Sequence, residues 1–223
     1  MLNIIRNLDW SVPMDMLLSV IPALICITLH ECSHGLAALW LGDTTAKDMG
    51  RLSLNPLMHF DIMGFIMMAY AGFGWAKPVP IDMRRFRDPK RGMAVTAVAG
   101  PAANVVITLV FLFLYGLLFA PLWTTKAGYY ALMTIYRTAY LSISLAIFNL
   151  LPIPPLDGSK VLFSLVSDEA YFKLMRYERY GMILLFVLIL TGVTSGPLSA
   201  AVRYVFDRLF FMAELGQTLS NLF

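Results

Sequence analysis

From Gly92 to Thr125 the chain carries no Lys, Arg, Asp, Glu or His, a run well beyond the roughly 20 apolar residues that a helix needs to cross a bilayer. Lipid offers no partner to backbone N–H and C=O groups, so a run of this kind must satisfy them within itself as a helix. Similar stretches occur from Asp15 to Trp40, from Tyr130 to Leu151, and from Tyr180 onward until helix signals fade at Gly192 and Gly196-Pro197. Composition agrees: 59% of the 223 residues are hydrophobic, 14% are charged, and the mean hydropathy is +0.71, too apolar for an ordinary soluble domain. The expected fold is an all-α polytopic membrane protein with four to five transmembrane helices. It forms one unit over 1–223, with a core at 15–165 and C-terminal helices at 180–223. Residues 198–223 fit an amphipathic interfacial helix as well as a fifth span. Met1 to Met14 lacks the basic start and small-residue cleavage site of a secretory signal, so the first span is expected to be retained.

The first span contains Leu29-His30-Glu31-Cys32-Ser33-His34-Gly35. Helical geometry puts His30 and His34 one turn apart on one face, where two imidazoles grip one metal ion. A carboxylate at Glu31 is placed to take a proton from water polarised by that metal without being a ligand itself. The chain has three histidines, and two sit in this motif within an apolar segment, where ionisable groups are expensive and mark functional sites. Cys26 and Cys32 lie on different helix faces, cannot bridge, and read as packing.

The third ligand must come from elsewhere. His59 and Asp61 are one option, two residues apart in a loop. The better candidate is Asp157, in Asn149-Leu-Leu-Pro-Ile-Pro-Pro-Leu-Asp-Gly158, where prolines stop a helix and hold the carboxylate in a fixed place. Between the first and second spans, Ile62 to Ala76 is apolar but short and punctuated by Gly64, Gly72 and Gly74, which predicts a re-entrant segment. Pro78 and Pro80 force the following stretch into extended geometry, which fits either an exposed strand edge that pairs with a substrate backbone or a surface connection. Asn104, in the small-residue stretch Gly100-Pro-Ala-Ala-Asn104, needs a polar partner.

Charge tests this topology. Stretches 43–61, 77–91 and 157–179 hold twelve of the 17 basic residues, which assigns all three to the cytoplasmic side. These clusters read as lipid-facing loops, not as a nucleic-acid surface. The first span then ends inside, the second returns outward and the third ends inside, so His30, His34 and Asp157 meet at one depth. A full crossing by 62–76 would put Asp157 on the wrong face.

HECSH in an early span, followed by NLLPIPPLDG, resembles the site-2 protease family of intramembrane zinc metalloproteases. Gly50-Arg-Leu-Ser-Leu-Asn-Pro56, Gly74-Trp-Ala-Lys-Pro-Val-Pro80 and Gly100-Pro101 with Asn104 extend the resemblance across most of 15–165. It implies that His30, His34 and Asp157 bind Zn2+, that Glu31 is the catalytic base, and that Asn149 positions the scissile peptide. It also implies a re-entrant β-hairpin that presents substrate and involves Gly74 and Trp75. The sequence has no PDZ insertion and no nucleotide-sensing domain, most like compact prokaryotic members. The implied partners are a transmembrane protein or peptide substrate and the lipid bilayer of a prokaryotic cell, with the site towards the cytoplasm and no nucleic acid; no oligomeric state follows. Two rivals are a divalent-metal transporter, which would string ligands along a route across the bilayer, and a metal-binding scaffold, which has no use for a non-ligand base.

Overall fold

A computed structural model of the chain describes residues 11–64, 67 and 75–222. The described residues are helical with irregular connections and contain no strand. Helix α1 (Ser11–Trp40) ends at a turn in which Gly42 adopts φ 103°, a left-handed conformation that glycine enters without steric penalty. A single helical turn, α2 (Thr45–Asp48), follows. Helix α3 (Pro89–Leu122) is capped by Asp88, whose side chain accepts from the Arg91 N–H, and has proline in its first turn. It therefore begins before the uncharged run, and the basic residues Lys90 and Arg91 lie on its first turns.

Helix α4 (Lys126–Asn149) starts at a Thr125 cap and stops where Pro152, Pro154 and Pro155 follow. The chain then forms the short α5 (Asp157–Phe163), α6 (Asp168–Thr191), α7 (Ser195–Leu209) and α8 (Phe211–Ser220). Among the described residues, three helical stretches are long and apolar enough to cross a membrane: Leu18–Trp40, Pro89–Leu122 and Lys126–Asn149. The Tyr180–Thr191 and Ser195–Ser220 segments, bent by 88°, make a fourth if they form one span. Residues 159–179, read from their charge as part of a cytoplasmic loop, are instead largely helical. Ser167 accepts from the Ala170 N–H, and Asp168 and Glu169 complement the helix N-terminus, so α6 starts well before its apolar part.

Helix α3 is the central element and packs against α1, α4, α5 and α8. Its contact with α8 depends on glycine. A side chain at Gly116 would run into the Ala213 carbonyl, and one at Gly216 into the Phe113 carbonyl. Such close backbone approach lets apolar helices associate by van der Waals packing where lipid supplies no hydrophobic drive. Around this crossing lies a core of Leu112, Ala139, Ile143, Ala146, Val202 and Phe206. Val106 and Val110, one turn apart on the opposite face of α3, are exposed.

Most of the expected re-entrant segment, Gly74 included, lies outside the described residues. Its two ends are described and lie side by side. The Lys77 N–H donates to the His59 carbonyl at 2.9 Å, and Gly64 packs against the Trp75 backbone with no room for a side chain.

Candidate metal centre

Because α1 is helical through its motif, His30 and His34 stack one above the other with ring centroids 4.6 Å apart and planes at 88°. Their Nε2 atoms approach to 3.0 Å. The α4 stop and the proline-rich turn deliver Asp157 to the same point, its Oδ2 at 3.2 Å from His30 Nε2 and 3.1 Å from His34 Nε2. All three side chains are buried. Gly158 keeps that turn tight, since a Cβ there would strike the Leu150 carbonyl. Burial pushes the Asp157 carboxyl up, but contact with His30 and His34, with Lys160 nearby, outweighs it and holds the group well below the usual carboxylate range. Asp157 is thus an anion facing two imidazoles. Two imidazole nitrogens and one carboxylate oxygen form a donor set suited to zinc with an open fourth position.

The rings are steered from behind by α3. His34 Nδ1 lies 2.7 Å from the Thr96 carbonyl oxygen. A carbonyl only accepts, so this nitrogen carries the proton and Nε2 of the neutral ring presents its lone pair to the cluster. Gly100 faces both rings. A Cβ added there would fall 2.5 Å from His34 Cε1 and 2.7 Å from His30 Cε1, and closer still to His34 Nε2. The place of this glycine against both histidine rings is not disclosed by its position in the small-residue stretch Gly100-Pro-Ala-Ala-Asn104.

Glu31 sits beside the cluster, and its Oε2 accepts from the Val79 N–H at 2.9 Å. The Lys77–Pro80 stretch that supplies this donor is held by Arg51, whose Nη2 donates to the Lys77 and Pro78 carbonyls at 3.0 and 3.1 Å. Gly35 lets the stretch approach α1, because a Cβ there would meet the side chains of Leu52 at 2.9 Å and Val79 at 3.2 Å. The sequence leaves this stretch open as a strand edge for substrate or as a surface connection, and in its described part the backbone donors are engaged. The Lys77 and Val79 N–H groups are already bonded within the chain, and Pro78 and Pro80 have none to give. The stretch is a brace for Glu31.

His59 is buried but does not join the cluster; its Nε2 donates to the Ser53 carbonyl at 2.8 Å, as does Cys32 Sγ at 3.0 Å. Asp61 accepts the Gly64 N–H. Among the described residues, the one group arranged to hold a metal is His30, His34 and Asp157. His30 and Glu31 open on a cavity of about 370 Å³ whose walls are mainly apolar, including Leu24, Ile27, Phe148 and Leu185. Asn149 and Trp75 also line it. Asn149 is anchored by its own Nδ2, which donates to the Leu145 carbonyl at 2.9 Å.

Comparison with known proteins bears on this geometry. The pattern described as Peptidase family M50 matches residues 117–193. "Putative zinc metalloprotease YwhC" of Bacillus subtilis is 36% identical over 178 residues, covering 79% of this chain and 81% of its own. The chain belongs to peptidase family M50. Rip2 of Mycolicibacterium smegmatis, which carries the same zinc metalloprotease designation, is 27% identical over 82% of this chain and 71% of its own. MJ0611 of Methanocaldococcus jannaschii, likewise designated, is 33% identical over 45% of this chain and 49% of its own. No solved structure matches. This M50 chain is a zinc-dependent metalloprotease of the site-2 protease family and, with its apolar helices, an integral membrane protein.

Proposed function

We propose that this M50 peptidase hydrolyses peptide bonds within or near the transmembrane segments of membrane-protein substrates, with His30, His34 and Asp157 as zinc ligands and Glu31 as the base. The observation that carries the reading is the convergence of the three side chains, with Glu31, at the wall of an apolar cavity between membrane-length helices. Bound zinc would act as a Lewis acid towards water and the scissile carbonyl. Glu31 takes the proton from the attacking water and returns it to the leaving amine nitrogen as the C–N bond breaks. The Val79 N–H keeps its carboxylate in one orientation throughout. Asn149, at the cavity wall, positions the peptide to be cut.

The apolar lining admits a hydrophobic segment, but a helical carbonyl is already bonded to the N–H four residues on. Substrates that unwind easily near the cut, for instance at glycine or proline, are therefore preferred. The described ends of the 62–76 segment support the re-entrant reading: the Lys77 N–H donates to the His59 carbonyl, and Gly64 lies against the Trp75 backbone. The contact of His34 near the end of α1 with Thr96 near the start of α3 agrees with that path. The basic residues around it support a site towards the cytoplasmic side of a prokaryotic cell membrane.

The test is cleavage of a panel of single-span membrane peptides by purified protein in detergent, with products located by mass spectrometry. The expected result is a cut within or beside the apolar segment, abolished by a zinc chelator and restored by added Zn2+. Cleavage confined to soluble peptides would overturn the proposal.

A further inference from the structure

Helix α3 meets the two histidines along one stripe. Thr96, Gly100 and Asn104 are spaced i, i+4 and i+8, so they share a face. Thr96 stands behind His34, Gly100 opposite both rings, and Asn104 behind His30. The order is reversed between the helices, as it must be for antiparallel neighbours. Thr96 gives His34 a carbonyl; the corresponding group for His30 is the Asn104 side chain, whose Nδ2 lies 3.1 Å from His30 Nδ1.

That amide is fully buried, and its Oδ1 has no hydrogen-bond partner among the described residues. His30 Nε2 faces His34 and Asp157, so to ligate a metal it must present a lone pair, which places the ring proton on Nδ1. A protonated Nδ1 needs an acceptor, and Nδ2 is a donor. Turning the amide by half a rotation exchanges its oxygen and nitrogen, which occupy nearly equivalent positions. Oδ1 then accepts the Nδ1–H, and Nδ2 takes the position that Oδ1 leaves. The backbone that carries the amide is itself fixed, because the Asn104 carbonyl accepts from Thr108 Oγ1 and Ser142 Oγ, each at 2.8 Å, tying α3 to α4.

We propose that Asn104 is a positioning residue for metal binding, accepting the His30 Nδ1–H through Oδ1 and so fixing both the tautomer and the plane of that ring. The proposal rests on the metal reading above. Partners of this kind behind ligating histidines change metal affinity by about 10–100-fold when lost.

The test compares wild type with Asn104→Asp and Asn104→Leu, measuring Zn2+ affinity by competition with a chromophoric chelator and the visible spectrum of the Co2+-loaded protein. Asp accepts but cannot donate, whereas Leu does neither. The expected result is a loss of about 10–100-fold in Zn2+ affinity for Asn104→Leu. Asn104→Asp should retain affinity within about threefold of wild type, with its Co2+ bands shifted by the more strongly polarised His30. Should Asn104→Leu fail to fold, the Asp variant alone decides. A tenfold or greater loss for Asn104→Asp, or wild-type affinity for a folded Asn104→Leu, would overturn the proposal. A wild type that binds no Zn2+ would instead overturn the metal reading on which it rests.

Discussion

Gly100→Ala separates the metal centre from the fold because its two effects have opposite signs. In the interior of α3, replacing glycine by alanine favours the helix by about 0.8–1.0 kcal/mol. The same methyl would lie 2.5 Å from His34 Cε1 and 2.7 Å from His30 Cε1, about 1 Å inside the normal carbon–carbon separation. His34 has little freedom to retreat, since its Nδ1 is bonded to the Thr96 carbonyl at 2.7 Å. Overpacking of this degree costs about 1–3 kcal/mol. Paid in the geometry of the ligands, it lowers Zn2+ affinity by about 5- to 140-fold at 1.4 kcal/mol per factor of ten. Chelator competition on the purified variant reads this directly, and thermal unfolding without metal reads the helix effect. The expected pattern is a folded metal-free protein within about 2 kcal/mol of wild type, the helix gain offsetting part of the overpacking, that binds Zn2+ at least fivefold more weakly. Unchanged Zn2+ affinity in the folded variant would refute the placement of α3 behind the two rings.

Other perturbations divide along the same lines. Val79→Pro removes the N–H that Glu31 accepts while suiting a chain already extended between two prolines. It should lower kcat on the order of 100-fold, the scale of a 1 Å misplacement of a catalytic group, with Zn2+ content unchanged; Val79→Ala, which keeps the N–H, should stay near wild type. Gly116→Leu, far from the cluster, should disrupt the α3–α8 crossing and lower the melting temperature, leaving the Zn2+ affinity of the remaining folded protein intact.

The sequence disclosed the parts of the site that follow from local periodicity. His30 and His34 are one helical turn apart, and that spacing alone puts them on one face. Asp157 was legible because three nearby prolines dictate where a helix must stop. What stayed hidden depends on how helices cross. Nothing in the order of residues says that Thr96, Gly100 and Asn104 face the histidines instead of lipid, since that is set by the rotation of α3 against α1. The prolines flanking Val79 announced an extended stretch, but the acceptor of its N–H lies 48 residues earlier, which no local pattern discloses. The early start of α6 was missed for a different reason: membrane hydropathy marks the apolar part of a helix and ignores the polar turns that Ser167 begins.

The most direct test of the account is Glu31→Gln, with bound zinc and peptide cleavage measured on the same preparation. The substitution keeps the shape and an oxygen to accept from Val79 but removes the base. The account predicts wild-type zinc content and loss of cleavage. Full cleavage by this variant, or loss of zinc along with activity, would contradict the assignment of Glu31 as a base that is not itself a ligand.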